Sequence, residues 1–265
     1  MSMRAVLLAA GLGTRLRPLT DRLPKCLAPI KGRPLLGYWL RMLSAGGVKP
    51  ILINTHHHAP LVEYFIRNGE WRQDVVITHE PELLGTGGTL LANRGFIGDG
   101  PVLIAHADNL TVFDIDTFIR SHASRPKGTS MTMMTFTAPA PSTCGIVTTD
   151  ARGVLTGFFE KVANPPGNYA NAAVYILEGE VVEFMCGLGK RFVDISTEVL
   201  PHFIGKTSTW HNTKYHRDIG TLQSWRQAQL DFPDADTLLL DDPWEGVLDR
   251  MGSDSRQFIA ELLAE

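Results

Sequence analysis

Residues 6–29, VLLAAGLGTRLRPLTDRLPKCLAP, constrain what this chain can become more than any other stretch. Residues 5–10 form an apolar run of the right length for a buried strand in a parallel sheet, and too short to span a membrane. Gly11 and Gly13 break that run and let backbone amides come close to a ligand, as in loops that cradle phosphate oxygens. Arg15, Arg17, Arg22 and Lys25 follow, interleaved with Pro18, Pro24 and Pro29, so the cations sit on a stiff loop and not on an amphipathic helix. Such a loop suits a polyphosphate.

Two well-known phosphate motifs do not fit. A dinucleotide fingerprint needs a third glycine where Leu16 stands, and Pro18 blocks a clean helix start. The spacing of a P-loop is absent as well. A lone G-x-G beside arginines could equally be a solvated turn, but this pattern is longer. G-x-G-x-R-x-x-P-x-T followed by P-K-x-L-x-P, carried by Gly11, Gly13, Arg15, Pro18, Thr20, Pro24, Lys25, Leu27 and Pro29, resembles the signature of sugar-phosphate nucleotidylyltransferases. Within that family it resembles the mannose-1-phosphate and D-glycero-D-manno-heptose-1-phosphate guanylyltransferases.

After the loop, Leu36, Trp39, Leu40 and Leu43 recur at helical spacing and Gly46 and Gly47 end the pattern, so residues 34–45 are expected to be a helix. Residues 51–54 read as a strand, 60–67 as a helix opened by Pro60, and 75–79 as a third strand. This alternation is that of parallel βαβ crossovers. His56, His57 and His58 lack metal-ligand spacing and read as a solvated loop. Residues 101–106 form a strand ending at Ala107, Asp108 and Asn109, and strand ends are where open parallel sheets bind ligands. Asp114 is expected to cap a helix through 121. From 130 the runs 130–137, 145–149, 154–159 and 172–177 are β-rich, which makes the sheet mixed. Helices near 180–186 and 196–204, a strand at 207–212 and a helix from 222 to 230 complete the body.

Residues 231–265 carry ten acidic and two basic residues, a net charge of −8 against −3 for the whole chain, so residues 1–230 carry +5. A mildly basic body suits small anions, and without a basic stripe it excludes nucleic acid as the expected partner. The tail has two helical patterns, 244–251 and 254–264, and Phe258, Ile259, Leu262 and Leu263 would give the second an adhesive face, packed on the body or used as a homodimer contact. The three cysteines, Cys26, Cys144 and Cys186, are odd in number and far apart, which fits a reducing cytoplasm and no disulfide framework. No run of eighteen apolar residues occurs, and Gly11 to Arg17 cut the first apolar run too short for a signal peptide.

The resemblance implies an α/β fold: a Rossmann-like mixed, mostly parallel sheet flanked by helices, glycosyltransferase-A-like, with a catalytic domain at 1–230 and an acidic helical C-terminal extension at 231–265. It implies transfer of a nucleoside monophosphate from a nucleoside triphosphate to a hexose or heptose 1-phosphate. By resemblance, Ala10, Gly11, Gly13, Thr14 and Arg15 hold the nucleotide with Glu80, Gly85 and Thr86, and Lys25 neutralises the reacting phosphates. HEPELLGTGGTL at 79–90 occupies the base-recognition place, with Gly85, Gly87 and Gly88 expected between strand and helix so that backbone can approach a flat ligand. Asp108 matches the family's G-D aspartate despite Ala107, and Asp218, in D-I-G-T, is the second carboxylate for Mg²⁺. Glu160 and Lys161 match F-x-E-K without its proline, Asn171 matches N-A-G-x-Y with Ala173 for glycine, and Gly145 joins them on the sugar-phosphate side. Guanine is the expected base, since its adjacent N1–H and 2-amino donors suit a carboxylate at Glu80, with Glu82 as the fallback. The alternatives are a UTP- or dTTP-dependent enzyme, or a non-catalytic nucleotide-sugar-binding regulatory subunit, which would lack a carboxylate or lysine that this chain keeps.

Overall fold

The computed structural model describes residues 3–233 and 242–264, so residues 234–241 of the acidic tail lie outside the described residues. In chain order come β1 (Arg4–Leu8), three 3-10 turns (Thr14–Leu16, Leu19–Asp21, Lys25–Leu27), a hairpin of β2 (Pro29–Ile30) and β3 (Arg33–Pro34), α1 (Leu35–Ala45), β4 (Ile51–Thr55), α2 (Ala59–Asn68) and β5 (Val75–His79). Next are α3 (Gly85–Ala92), α4 (Arg94–Ile97), β6 (Val102–His106), β7 (Asn109–Val112), α5 (Ile115–Ala123), β8 (Met131–Thr137), β9 (Gly145–Thr149), β10 (Leu155–Glu160), β11 (Tyr169–Leu177) and α6 (Gly179–Gly187). A π turn (Ile195–Val199), a 3-10 turn (Leu200–Phe203), β12 (Thr207–His211), β13 (Tyr215–Asp218), α7 (Leu222–Asp231), α8 (Trp244–Met251) and α9 (Ser255–Ala264) finish it. The fold is α/β with a mixed sheet flanked by helices, as expected, and with a helical C-terminal extension. None of the helices is long and apolar enough to cross a membrane among the described residues.

The chain divides into two compact units. The first comprises Met1–Val6, Leu83–His106 and Val112–His216. Its centre is β11, which pairs antiparallel with β6, β8 and β9, while β10 pairs antiparallel with β9 and β12 parallel with β8. Alternating small and branched residues make this possible: Ala170, Ala172, Val174 and Ile176 of β11 are all fully buried. The β11–β8 register slips between Asn171 and Tyr175, a bulge centred on Ala173, whose φ of 54° is left-handed.

The second unit comprises Leu7–Glu82, Ala107–Thr111 and Arg217–Glu265. Here β4 and β5 run parallel, Ile51 opposite Val75 through Thr55 opposite His79. The signature loop has little regular hydrogen bonding, and prolines alone do not hold it: Leu16, Leu19, Leu23 and Leu27 are fully buried. Each contributes about 1.5–3 kcal/mol of burial, enough to anchor the loop. Trp225 of α7 donates from Nε1 to the Pro29 carbonyl (2.8 Å), and Trp39 of α1 to that of Asn109 (2.7 Å), which ties the loop's end and β7 to the helices. The extension packs here: Trp244, Val247, Leu248, Ile259 and Leu262 are buried, so Ile259 and Leu262 of the face expected to be adhesive are covered within their own unit, Phe258 is half-buried and Leu263 is exposed.

Candidate active site

In the second unit, the ends of β1, β4 and β5 are locked together by one polar relay. Ala9 donates its backbone N–H to Asn54 Oδ1 (2.7 Å), and Asn54 Nδ2 donates to Glu80 Oε1 (3.0 Å). Glu80 is 4% exposed, whereas the fallback Glu82 is exposed. A buried carboxylate must be bonded, and Asn54, which sequence reasoning passed over, is its partner. Its position just before the strand's last residue was the available signal.

Gly11, Thr14 and Arg15 are exposed, Gly13 half-buried and Ala10 buried. Gly13 has φ 63°, and a side chain there would meet Thr20 Cγ2 at 2.8 Å and Lys25 Cβ at 3.1 Å, so only glycine fits. Thr20 is the reason this loop is shaped: buried, it donates from Oγ1 to the Gly13 carbonyl (2.8 Å). Ala107 N–H donates to the Leu8 carbonyl (3.0 Å), which brings Asp108 beside the start of the loop, and β7 pairs with β13, at whose end Asp218 lies.

Lys25 stands between those two aspartates. Its Nζ is 2.8 Å from Asp108 Oδ2 and 3.2 Å from Asp218 Oδ1, with the side chain 7% exposed. Burial alone would lower the ammonium's pKa, but the Asp108 and Asp218 charges and their hydrogen bonds outweigh it and raise it. Arg15 reaches Asp218 Oδ2 at 3.8 Å from the exposed side. Burial and the Asp108 charge push the neighbouring Cys26 thiol up to about 12, so it is unreactive. No group of three or more His, Cys, Asp or Glu side chains among the described residues is arranged to hold a metal ion. The two carboxylates nevertheless could hold a divalent ion: both converge on one cation and both are hard oxygen donors.

The three histidines do not form a solvated loop. His56 Nδ1 bonds the Glu80 carbonyl (2.7 Å), His57 Nε2 that of Thr20 (2.8 Å) and His58 Nε2 that of Asp21 (3.1 Å). His57 and His58 thus brace the signature loop and His56 the end of β5, roles invisible without the tertiary partners.

In the first unit the residues expected on the sugar-phosphate side lie on or beside β9, β10 and β11. Gly145 pairs with Glu160, and a side chain on it would sit 2.6 Å from Glu160 Oε2 and 2.8 Å from the Phe158 ring, so the glycine makes room for that carboxylate. Lys161 follows with φ 49°, its N–H on the Cys144 carbonyl (3.1 Å) and its Nζ 3.1 Å from Glu160 Oε1, both side chains reaching solvent. Asn171 donates from Nδ2 to the Tyr175 hydroxyl (2.6 Å) and accepts from Ala173 N–H (2.9 Å) across the bulge. Tyr175 is buried, which pushes its hydroxyl's pKa up against the hydrogen bonds of Asn171 and Ser196. The N-A-G-x-Y match ends on Tyr175 but assigns that residue no role, and sequence reasoning misses Ser196, which nothing local marks as a polar anchor.

The glycines near residue 85 need correction. They are not a loop ahead of a helix: α3 starts at Gly85 itself, with φ 74°. Gly87 and Gly88 both donate N–H to the Val193 carbonyl (2.8 and 3.2 Å), and side chains at Gly85, Gly87 and Gly88 would collide with residues 191–193. Their smallness serves that close packing. Thr86 Oγ1 accepts from Ile195 N–H (2.8 Å), and Asp194 caps the turn that follows by accepting from Thr197 N–H (2.9 Å).

A family model described as nucleotidyl transferase matches residues 4–235. The chain is 31% identical over 219 residues to a UTP–glucose-1-phosphate uridylyltransferase of Synechocystis sp., covering 76% of this chain and 55% of that one. It is 28% identical over 232 residues to a mannose-1-phosphate guanylyltransferase of Mycobacterium tuberculosis, covering 86% and 64%. The chain therefore spans a little over half to just under two thirds of the length of these relatives. Among solved structures, HddC from Yersinia pseudotuberculosis complexed with GMP-PN superposes with a TM-score of 0.73 at 23% identity, covering 87% of this chain and 100% of that one, a likeness of fold.

Proposed function

The chain belongs to the nucleotidyl transferase family, and from that premise we propose that it transfers a nucleoside monophosphate, from GTP, to a hexose or heptose 1-phosphate, releasing pyrophosphate. An oxygen of the sugar phosphate attacks the α-phosphorus in line; the new P–O bond forms as the bond to the β-phosphate breaks. Such chemistry needs positioning and charge neutralisation more than a nucleophilic side chain. The exposed edge of the loop at Gly11 to Arg15 holds the triphosphate, and Lys25 offers its ammonium to the reacting phosphates. Mg²⁺, held by Asp108 and Asp218, supplies further neutralisation of the α-phosphate when bound. On the sugar side, Lys161 binds the phosphate while Glu160 and Asn171 accept and donate hydrogen bonds to hydroxyls.

The observation that carries the transferase reading is the buried Lys25 drawn between Asp108 and Asp218 beside an exposed glycine loop. Guanine is supported by the buried Glu80 at the end of β5, an acceptor-only carboxylate oriented by Asn54 and of the kind that adjacent N–H donors match. Uracil, with one N–H between two carbonyls, would set lone pairs against that carboxylate. The uridylyltransferase relative favours the second reading, UTP as donor.

Crossing GTP, UTP, dTTP and ATP with a panel of sugar 1-phosphates in a pyrophosphate-release assay tests both. GTP should give the highest kcat/KM, and Glu80→Gln should reduce its preference over UTP about tenfold or more. A UTP or dTTP optimum would refute the guanine reading and keep the transferase. No release with any pair, together with measurable nucleotide-sugar binding, would instead support a regulatory subunit.

A further inference from the structure

Helices α8 and α9 lie beyond the stretch matched by the family model, yet they grip the signature loop. Arg22, which closes the turn Leu19–Asp21, donates to both oxygens of Asp254: Nη1 to Oδ2 at 2.9 Å and Nη2 to Oδ1 at 2.6 Å. Nη2 also donates to the Met251 carbonyl (3.1 Å), and the guanidinium carbon lies 4.6 Å from the centre of the Phe258 ring. A forked ion pair, a carbonyl bond and a ring contact on one planar group are a set that lysine could not reproduce. The helices are themselves firmly seated. Arg250 lies 3.7 Å over the Tyr64 ring of α2, Gly246 leaves no room for a side chain against that tyrosine, and Arg226 Nε of α7 donates to the Leu262 carbonyl (2.7 Å).

From Arg22 the linkage runs two residues back to Thr20, whose hydroxyl holds the Gly13 carbonyl and whose methyl occupies the space that Gly13 leaves open. The same carbonyl accepts from Leu16 N–H (2.8 Å). His57 and His58 hold the turn through the Thr20 and Asp21 carbonyls. The turn is thus braced by histidines of the segment between β4 and α2, and by the C-terminal helices through Asp254.

We infer that Asp254, acting through Arg22, is a positioning residue: the C-terminal helices set the shape of the loop at residues 11–22 and thereby its grip on a nucleoside triphosphate. The identity of that ligand rests on the proposed function. Asp254 is 64% exposed, and an exposed pair adds little to global stability. Its effect falls on the local order of a loop that lacks a regular hydrogen-bond ladder.

The test compares the full-length parent with Asp254→Ala and Asp254→Glu. Hydrogen exchange at the amides of Leu16, Arg22 and Leu23, which bond the Gly13 and Leu19 carbonyls, should be about fivefold faster in the alanine variant, with β4 unchanged and the glutamate variant restored. In parallel, KM for the triphosphate should rise about fivefold while KM for the sugar phosphate and kcat stay within about twofold. Unchanged loop exchange, exchange accelerated throughout, or an equal rise in both KM values would overturn the inference. The exchange arm reads the brace even if the parent transfers no nucleotide. In that case the proposed function fails, and calorimetric affinity for GTP with Mg²⁺ replaces KM in deciding the positioning role.

Discussion

Lys25→Met removes the ammonium from between Asp108 and Asp218 and keeps most of the apolar stem in place. Opposite charges about 4 Å apart attract by about 4 kcal/mol at an effective dielectric near 20. The two distances here, 2.8 and 3.2 Å, are shorter, but the aspartate side chains are 30% and 55% exposed and the lysine is desolvated. Screening and desolvation bring the expected net loss of stability to about 1–3 kcal/mol. Because the Lys25 pKa is raised, its contribution is complete below the ordinary lysine value and is lost only as pH climbs through the raised one. A comparison at pH 7.5 therefore sees the full effect. Urea melts with EDTA should give that loss, and millimolar Mg²⁺ should recover more stability in the variant than in the parent, since two carboxylates left facing each other gain most from a new cation. The kcat/KM for transfer should fall about 100-fold or more. Equal stability of variant and parent in EDTA, with no extra response to Mg²⁺, would refute the reasoning.

Lys161→Ala should raise KM for the sugar phosphate about tenfold and leave KM for the nucleotide nearly unchanged, a split that initial-rate kinetics reads directly; the reverse order would transpose the two halves of the site. His122, buried with Nδ1 on Thr132 (2.8 Å) and Nε2 on Glu178 (3.1 Å), has its pKa lowered, by burial first and then by Arg125, with Glu178 opposing. The folded state then binds its proton less readily than the unfolded state, so this stability is present above the unfolded value of about 6.5 and is lost as pH falls from there through the lowered folded value. His122→Gln should flatten the decline in urea midpoint between pH 7.5 and 5; an unchanged slope would place the decline elsewhere. Ala173→Gly relieves a left-handed backbone at φ 54° and should add about 0.5–1 kcal/mol of stability by thermal melt, where a loss would show that the bulge carries no strain at that residue.

Much of this arrangement was legible in the sequence, because it is written in local chemistry. The apolar run, the glycines and the interleaved cations and prolines of residues 6–29 mark a strand and a phosphate-suited loop, and the periodicities at 34–45 and 244–251 mark α1 and α8 closely. What escaped depends on partners distant in the chain. His56, His57 and His58 look solvated until the carbonyls they bond are known. The glycines at 85, 87 and 88 suggest an open loop until residues 191–193 are seen packed on them. The short strands β7 and β13 have too few residues for a period of two to register, and the bulge at Ala173 leaves no trace in an apolar run. Glu80 and Glu82 are alike in sequence, and only the fold, which buries the first beside Asn54 and leaves the second exposed, separates them.

Labelled GTP tests the central claim most directly. With a sugar 1-phosphate that supports turnover, label in the α-phosphate should appear in the nucleotide sugar and label in the γ-phosphate in pyrophosphate, with neither on the protein. Recovery of the γ-label in a sugar bisphosphate or in orthophosphate, or of the α-label on the protein, would contradict direct in-line transfer at Lys25, Asp108 and Asp218.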